Sequence, residues 1–499
     1  MIAGLRGRFE RAHLLATLVV ITVTAVSSYG YFHEDEYFQV LAFTWAKLGL
    51  LDVHHLPWEY TARIRPFMQP ALYVAAARAA ALLGVHDVFA RATVFRLVTG
   101  LFAWASLVAF VSTSAAWFRD PDERRAHVRV ATLLGMLPYL CVRTSSETLA
   151  MAAFTLGFSA ALSRCAAWRS LAGLGFGFAF EFRYQSALLV AGLLAWLLAV
   201  RRDRVRDILL IALASLGPVA LGAVVDRWGY GEWTPTPWSY FKVNLLEGVA
   251  SRYGTSPPFA YVYLATTNLF APVVILWLVA FGLTMVRHPK HVVTWTTVPF
   301  FVIHCLLAHK EERFVFPMLI IATSFFVLGF APGQGRPILW ATRAWAQRRS
   351  AIAKVIAGWN FAGMALLSIY PLGWNNHARF YRALHDESIE NLHAYAFGPV
   401  LEAPPYTPTV FDVQTTTARD IGDALVLGRA RSYLVTPEPR LDTGVAILDA
   451  HATLVASEMP GWQAGWLRDI ALKLTDAYDA VARPPLRRVE WWSLYRLEP

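Results

Sequence analysis

Cysteine and charge are both scarce in this chain. It has only three cysteines among 499 residues, Cys141, Cys165 and Cys305, and no two of them form a CxxC pair. Neither a disulfide framework nor a cysteine metal site is therefore indicated. Charged residues make up 16% of the sequence and hydrophobic residues 56%. A chain of this length and hydrophobicity is not an ordinary soluble enzyme, and its composition predicts a polytopic membrane protein.

Features typical of several other protein classes are also missing. The sequence has no internal repeat, no low-complexity tract and no evident signal-peptide cleavage site, so the first apolar run is expected to remain as an anchor. The net charge of +10 does not predict nucleic-acid binding, because Lys and Arg lie mostly in short loops between apolar runs. There they set orientation and contact lipid headgroups. Membrane lipids are expected partners, nucleic acid is not, and no cofactor or metal is predicted.

Long apolar runs dominate the first three quarters of the sequence. They cover residues 12–32, 88–118, 128–142, 148–166, 171–182, 183–200, 207–226, 258–286, 292–308, 314–331 and 351–373. These runs predict about eleven transmembrane helices. Several are shorter than the roughly 20 residues of a straight crossing, which indicates kinked or broken helices that line a cavity.

Arginine and lysine are concentrated in alternate loops. These basic residues are Arg6, Arg8, Arg11, Arg119, Arg124, Arg125, Arg129, Arg201, Arg202, Arg204, Arg206, Arg287, Lys290, Arg336, Arg343, Arg348 and Arg349. The positive-inside rule then places the N-terminus in the cytoplasm. The other loops are expected to face outward, and they are residues 33–87, 143–147, 227–257, 309–313 and everything after 373.

The sequence divides into a membrane domain, 1–373, and a soluble domain, 374–499. In the first outward loop, 33–87, the segments 36–50 and 70–84 are predicted to be helices at the membrane interface. The last domain has short β-rich runs at 410–413, 433–435, 445–448, 452–456 and 491–497, and one amphipathic helix over 467–481. This pattern predicts a small outward-facing α/β domain.

Two charged motifs in the outward loops suit chemistry on a lipid phosphate. Glu34, Asp35 and Glu36 follow the first apolar run, where a carboxylate can accept a proton from an attacking hydroxyl. The second motif, His309 to Arg313, has the basic groups to stabilise a departing phosphate. A solvated helix end and a salt-bridged helix corner are the alternative interpretations of the two motifs.

The outward loop 227–257 is rich in aromatic and amide side chains. Trp233, Lys242 and Asn244 could line a sugar site, although an interfacial aromatic belt also explains the tryptophans. The pair His54 and His55 is interpreted as a surface pair.

Four segments together resemble the polyprenyl-phosphate-mannose-dependent mannosyltransferases of GPI-anchor and N-glycan assembly. They are HEDEYFQ (33–39), LPWEYTARIRP (56–66), the pair DRWGYGEWTP (226–235) with KVNLLEGVASRYGTSPP (242–258), and HKEERFVFP (309–317). The resemblance implies a glycosyltransferase C fold and an inverting transfer of mannose from a lipid phosphate. The donor would be a polyprenyl-phosphate mannose, and the acceptor a lipid-linked or glycan hydroxyl.

The resemblance also implies roles for individual residues. Asp35 and Glu36 would be catalytic. The donor phosphate would be bound by His309, Lys310, Arg313 and Arg65. The remaining substrate contacts would come from His33, Gln39, Trp58, Glu59, Trp233, Lys242 and Asn244. The Ala- and Arg-rich sequence suggests a bacterial inner-membrane enzyme that acts at the periplasmic face.

Two alternatives remain open on the sequence alone. A transporter or flippase of lipid-linked sugars would also need charged groups in the membrane, but such groups usually lie near mid-span and in duplicated halves. Here they cluster in outward loops and no repeat occurs. A related transferase that uses another lipid-phosphate sugar is the second alternative, and only the resemblance argues against it.

Overall fold

The computed structural model describes residues 7–28, 30–163, 165–266, 270–330, 343–369 and 382, together with five strands between 394 and 497. The chain forms two compact units. The first contains residues 1–28 and 38–371, and the second contains residues 29–37 and 372–499.

Helices make up the described part of the first unit. The α-helices are α1 (Arg8–Ser27), α2 (Ala42–Lys47), α3 (Trp58–Thr61), α4 (Met68–Leu82), α5 (Val88–Ser114), α6 (Pro121–Leu133), α7 (Leu137–Cys141), α8 (Ser146–Ala161), α9 (Ala166–Phe182), α10 (Ser186–Ala199), α11 (Val205–Tyr230), α12 (Thr236–Phe241), α13 (Ala260–Thr266), α14 (Ala271–Arg287), α15 (Val292–Leu306), α16 (Leu319–Ala322), α17 (Phe325–Phe330) and α18 (Arg343–Ile369). A π-helical turn, Tyr37–Leu41, leads into α2, and a 3-10 helix, Glu312–Met318, precedes α16.

Three described helices are long and apolar enough to cross a membrane. They are α1, α5 with its 3-10 extension to Trp117, and α11. Shorter apolar helices include α10, α14 and α15. The prediction of a polytopic helical protein with broken helices is therefore confirmed in its general form.

Several predicted spans are interrupted, as the run over 128–142 illustrates. It divides into α6 and α7, and the side chain of Asn360 satisfies the backbone groups that the break exposes. Its amide oxygen accepts the Gly135 N–H at 2.7 Å, and its amide nitrogen donates to the Leu133 carbonyl at 2.8 Å. A polar side chain from a neighbouring helix thus replaces water at this break.

Helix α9 packs closely against helices on two sides because it is rich in glycine. A Cβ on Gly173 would lie 2.3 Å from the Ile211 carbonyl of α11, and a Cβ on Gly175 would lie 2.9 Å from Gly157 in α8. Small residues of this kind let helix backbones approach one another in a membrane. These contacts hold the middle of α9 against both of its neighbours.

The predicted interfacial helix over 36–50 is shorter and more buried than expected. Only α2 and the preceding π-helical turn form, and Phe43 and Trp45 are both at most 1% exposed. A helix with successive buried residues has no polar face toward water, so α2 packs inside its unit. The predicted helix over 70–84 corresponds to α4.

The described part of the second unit contains a mixed five-stranded sheet. Its strands are β1 (Ala394–Ala396), β2 (Val413–Thr415), β3 (Ser432–Thr436), β4 (Ala452–Ser457) and β5 (Ser493–Leu497), in the order β2-β1-β3-β5-β4. Strand β1 is parallel to both neighbours, whereas β5 is antiparallel to β3 and β4. The predictions for β3, β4 and β5 are confirmed. The predicted strand at 445–448 and the helix at 467–481 lie outside the described residues.

Candidate active site

A cleft lined by both polar and apolar side chains opens where the first outward loop, 33–87, meets several helix ends. Its polar lining residues are Gln39, Arg65, Gln69, Ser146, Arg183, Tyr184, Gln185 and Tyr240. Most of them belong to the segments 33–87, 143–147 and 227–257. The rest come from the junction between α9 and α10. Three segments that were predicted to face the same side of the membrane therefore contribute to one cleft.

The C-terminal end of α11 holds the segment that carries Arg65. The Tyr230 hydroxyl donates to the Arg65 carbonyl at 2.8 Å, and the Asp226 carboxylate accepts the Phe67 N–H at 2.7 Å. The Arg65 guanidinium lies 3.5 Å from the Glu59 carboxylate, which is 6% exposed. Two residues predicted to bind substrate thus form an ion pair beside the cleft, and Arg65 also lines its wall.

A buried carboxylate joins two arginines beside the cleft. The turn 143–147 enters α8 with Ser145 as its N-cap, which places Glu147 in the first helical turn. Glu147 lies 3.1 Å from the Arg183 guanidinium and 3.6 Å from that of Arg313. All three side chains are at most 7% exposed. This ion triad connects the cleft to the motif at 309–313.

Residues of the predicted phosphate-binding motif pair with one another. His309 Nε2 lies 2.8 Å from the Glu311 carboxylate, and Arg313 also forms an ion pair with Glu311. The hydrogen bond with Glu311 is the main cause that raises the pKa of His309 above its ordinary value. His309 therefore carries more positive charge at neutral pH than an isolated histidine.

Lys310 lies outside regular secondary structure, since the 3-10 helix of the motif begins only at Glu312. Its ammonium donates to the backbone carbonyls of Ser256, at 2.8 Å, and Leu307, at 2.5 Å. An ammonium has three N–H donors, so these two bonds leave one for an anion. The side chain is 7% exposed, which makes its charge strong toward any group that reaches it.

The acidic motif at 33–36 belongs to the second compact unit. Glu36 is 1% exposed, and its carboxylate accepts the Phe32 N–H at 2.7 Å. Asp35 retains 19% exposure of its side chain, and its carboxylate lies 4.0 Å from His33 Nδ1. Of the two predicted catalytic acids, Asp35 is therefore the more accessible, and Glu36 stabilises its own loop.

The other predicted substrate residues differ in their surroundings. Gln39 is 6% exposed and lines the cleft. Trp58 and Trp233 are 40% and 63% exposed, and neither lines the cleft. Lys242 is exposed and lies 3.5 Å from Glu247. The Asn244 amide donates to the carbonyl of Tyr240 at 3.1 Å. Only Gln39 and Arg65 of the residues predicted for these roles contribute directly to the cleft walls.

Sequence reasoning assigned no role to several residues in or beside the cleft, among them Glu147, Arg183, Tyr184 and Gln185. One signal was available for Arg183. A charge between two apolar runs, 171–182 and 183–200, marks a functional position in a membrane protein. Gln185 gave no comparable signal, because isolated amides are common in loops.

Comparison with known proteins assigns the chain to a family. The profile of the Alg9-like mannosyltransferase family matches residues 13–391, which contain every predicted site residue. The chain belongs to this family. The resemblance drawn from the four sequence motifs is thus confirmed.

Individual relatives of this Alg9-like chain are distant. GPI alpha-1,2-mannosyltransferase 3 of Xenopus laevis is 24% identical, and the match covers 60% of this chain and 56% of the relative. Mannosyltransferase APTG1 of Arabidopsis thaliana is 24% identical over 64% and 59%. GPI mannosyltransferase 3 of Yarrowia lipolytica is 28% identical over 61% and 60%. The chain therefore spans little more than half the length of these relatives.

A solved membrane glycosyltransferase has the same fold as this chain. The crystal structure of ArnT from Cupriavidus metallidurans bound to undecaprenyl phosphate superposes with a TM-score of 0.53. The match covers 97% of both chains at 11% sequence identity, so the likeness concerns the fold alone. The predicted glycosyltransferase C fold is confirmed.

Proposed function

We propose that this protein transfers mannose from a polyprenyl-phosphate donor to a lipid-linked or glycan hydroxyl at the outer face of the membrane. The proposal is supported most by the cleft, which is formed by loops assigned to one side of the membrane and flanked by Arg65 and Arg183. Guanidinium groups in a partly buried cleft suit a phosphate that gains charge as the sugar departs.

The names of known proteins agree with this proposal. Relatives of this Alg9-like chain are named as mannosyltransferases with alpha linkages, and the solved protein of the same fold is titled as bound to undecaprenyl phosphate. The charged groups lie at helix ends and in loops, whereas a transporter would place them along a path through the membrane.

The proposed chemistry is a single inverting displacement. Asp35 accepts the proton of the acceptor hydroxyl, the hydroxyl oxygen bonds to the anomeric carbon, and the bond from that carbon to the phosphate oxygen breaks. The lipid phosphate leaves with the negative charge. Arg65, His309, Lys310 and Arg313 are proposed to stabilise it, and no cofactor takes part in this scheme.

One assay tests the proposal directly. Purified protein is incubated with polyprenyl-phosphate mannose, labelled in the sugar, and a total lipid extract from its host. Label is expected in a new product with an alpha linkage. If label instead crosses a vesicle bilayer with its lipid intact, the protein is a flippase and the proposal is wrong.

The basic motif gives a prediction about donor binding. Lys310→Ala and Arg313→Ala are each expected to weaken binding of polyprenyl phosphate by about 10- to 100-fold, because a hydrogen bond to a charged group contributes roughly 1.5 to 3 kcal/mol. Equilibrium binding of labelled polyprenyl phosphate measures the change. Arg252→Ala is the matched control, since Arg252 is basic, exposed and outside the motif. Unchanged affinity in both variants would leave the motif with a purely structural role.

Orientation can be tested without substrate. We place the N-terminus in the cytoplasm and residues 374–499 in the periplasm of an inner membrane. A cysteine at exposed Ser251 should then react with an impermeant thiol reagent in cells whose outer membrane is permeabilised. Native Cys165, which is exposed, and a cysteine at Asp122 should react only after lysis. The reverse labelling pattern would contradict the proposed sidedness.

A further inference from the structure

Three side-chain oxygen atoms of the cleft make no hydrogen bond within the described part of the protein. They are Gln69 Oε1, Tyr184 OH and Gln185 Oε1, and each is inaccessible to solvent. All three residues line the same cleft. Buried polar atoms are normally hydrogen-bonded, because leaving one unpaired costs about 1 to 3 kcal/mol. Three such atoms in one cleft indicate a site that is completed by a ligand.

The orientation of the Gln69 amide follows from its neighbours. Its nitrogen lies 2.8 Å from the Thr144 carbonyl oxygen, which can only accept, and 3.1 Å from the Tyr73 hydroxyl. The nitrogen is therefore correctly placed there, and the oxygen is the atom without a partner. At 3% exposure the side chain cannot use bulk water instead.

Tyr184 and Gln185 are held at the junction between α9 and α10. The Gln185 amide nitrogen donates to the Tyr240 hydroxyl at 2.5 Å, and the Tyr184 ring packs against the ring of Tyr240 with centroids 5.4 Å apart. Their positions are thus set by the protein, while the Gln185 oxygen and the Tyr184 hydroxyl have no hydrogen-bond partner among the described residues. The site is preorganised for a partner that supplies hydroxyl donors.

We propose that Gln69, Tyr184 and Gln185 bind the hydroxyl groups of a hexose. Amide oxygens accept hydrogen bonds, and an ionised phosphate has no hydrogen to donate to them, whereas each sugar hydroxyl can donate and accept. The three groups therefore select the sugar part of a substrate, and they lie in the same cleft as Arg65 and Arg183. This inference rests on the proposed function, and the sugar is either the mannosyl group of the donor or a residue of the acceptor.

Tyr184→Phe is the sharpest test, because it removes only a hydroxyl that makes no hydrogen bond to any described residue. Thermal unfolding without substrate should be unchanged or slightly higher in temperature, since no internal hydrogen bond is lost. The KM for one sugar substrate should rise by about 2- to 10-fold, the effect of one neutral hydrogen bond. Gln185→Met should raise the same KM.

Thr155→Val is the matched control. It also removes a buried hydroxyl that has no hydrogen-bond partner among the residues the structure describes, but Thr155 lies in α8 and does not line the cleft. Its KM values should equal those of the wild type. If Tyr184→Phe and Gln185→Met also leave the KM of every sugar substrate unchanged, the inference is wrong.

The two possible sources of the hexose give different results. If the cleft binds the donor sugar, Tyr184→Phe weakens binding of polyprenyl-phosphate mannose and leaves binding of polyprenyl phosphate unchanged. If it binds the acceptor, donor binding is unchanged and the KM of the acceptor rises.

Free mannose provides a readout that does not need transfer activity. It should raise the unfolding temperature of the wild type and of Thr155→Val more than that of Tyr184→Phe. If this difference appears while no transfer occurs, the proposed function fails and the hexose site stands. If the wild type transfers mannose but neither cleft variant changes a KM or the stabilisation by mannose, the hexose site is refuted. The proposed function is then unaffected.

Discussion

Replacing Asp35 by Asn is expected to lower mannosyl transfer by about 100- to 10,000-fold, the usual contribution of a general base. Asparagine keeps the size of the side chain and cannot accept the proton. Asp35 is preferred over Glu36 because its side chain is 19% exposed, whereas the Glu36 carboxylate is buried and bound to the Phe32 N–H. Initial rates at saturating donor and acceptor measure the effect.

Two neighbouring acids serve as comparisons for this substitution. Glu34→Gln removes an adjacent negative charge and should leave the rate within a few-fold of the wild type. Glu36→Gln should reduce the rate mainly through a less stable loop. Near wild-type transfer by Asp35→Asn, with transfer abolished in Glu36→Gln, would move the base to Glu36. Retained activity in both variants would refute the proposed site.

The second large effect concerns the ion triad beside the cleft. Glu147→Gln is expected to lower the free energy of unfolding by about 3 to 5 kcal/mol, because it leaves two buried guanidiniums without their shared carboxylate. Glu147 lies 3.1 Å from Arg183 and 3.6 Å from Arg313, and all three are almost fully buried. Thermal and denaturant unfolding of the purified protein in detergent measures the loss.

An exposed ion pair is the matched control for the triad. Glu247→Gln removes the partner of Lys242, and the two side chains are 46% and 56% exposed. Solvent screening limits such pairs to about 1 kcal/mol or less. Equal destabilisation by Glu147→Gln and Glu247→Gln would show that the triad contributes no more than a surface pair.

Glu147→Gln should lose more transfer activity than its increased unfolding accounts for. Arg183 lines the cleft, and the carboxylate sets the position of its guanidinium. At a temperature where the variant is fully folded, we therefore expect a reduced rate as well. A folded variant with the wild-type rate would limit Glu147 to a structural role.

The amino-acid sequence was sufficient for the general architecture. Helices α1, α5 and α11 form where long apolar runs were found, since the preference of such a run for a lipid environment is a local property. The strands β3 and β4 follow from local patterning in the same way. Four separated motifs were enough to recognise the family.

Breaks within helices depended on residues far away in sequence. The division between α6 and α7 is stabilised by Asn360 of α18, which hydrogen-bonds to both sides of the break. The apolar run over 128–142 alone contains no sign of this partner. The burial of α2 was missed for a similar reason, because its pattern does not show which elements cover its second face.

The distribution of Lys and Arg between loops assigned 33–87, 143–147 and 227–257 to one side of the membrane, and all three contribute to the cleft. Only the tertiary structure decided which of their side chains face it. Trp233 and Lys242 have suitable chemistry and point to solvent, whereas Gln69, Tyr184 and Gln185 line the cleft. Glu147 meets Arg183 and Arg313 through the packing of α8 against its neighbours. A sequence determines which groups must leave water, because transfer free energy depends on composition and local pattern. Which partners those buried groups then meet depends on how distant helices pack, and that is a property of the folded chain.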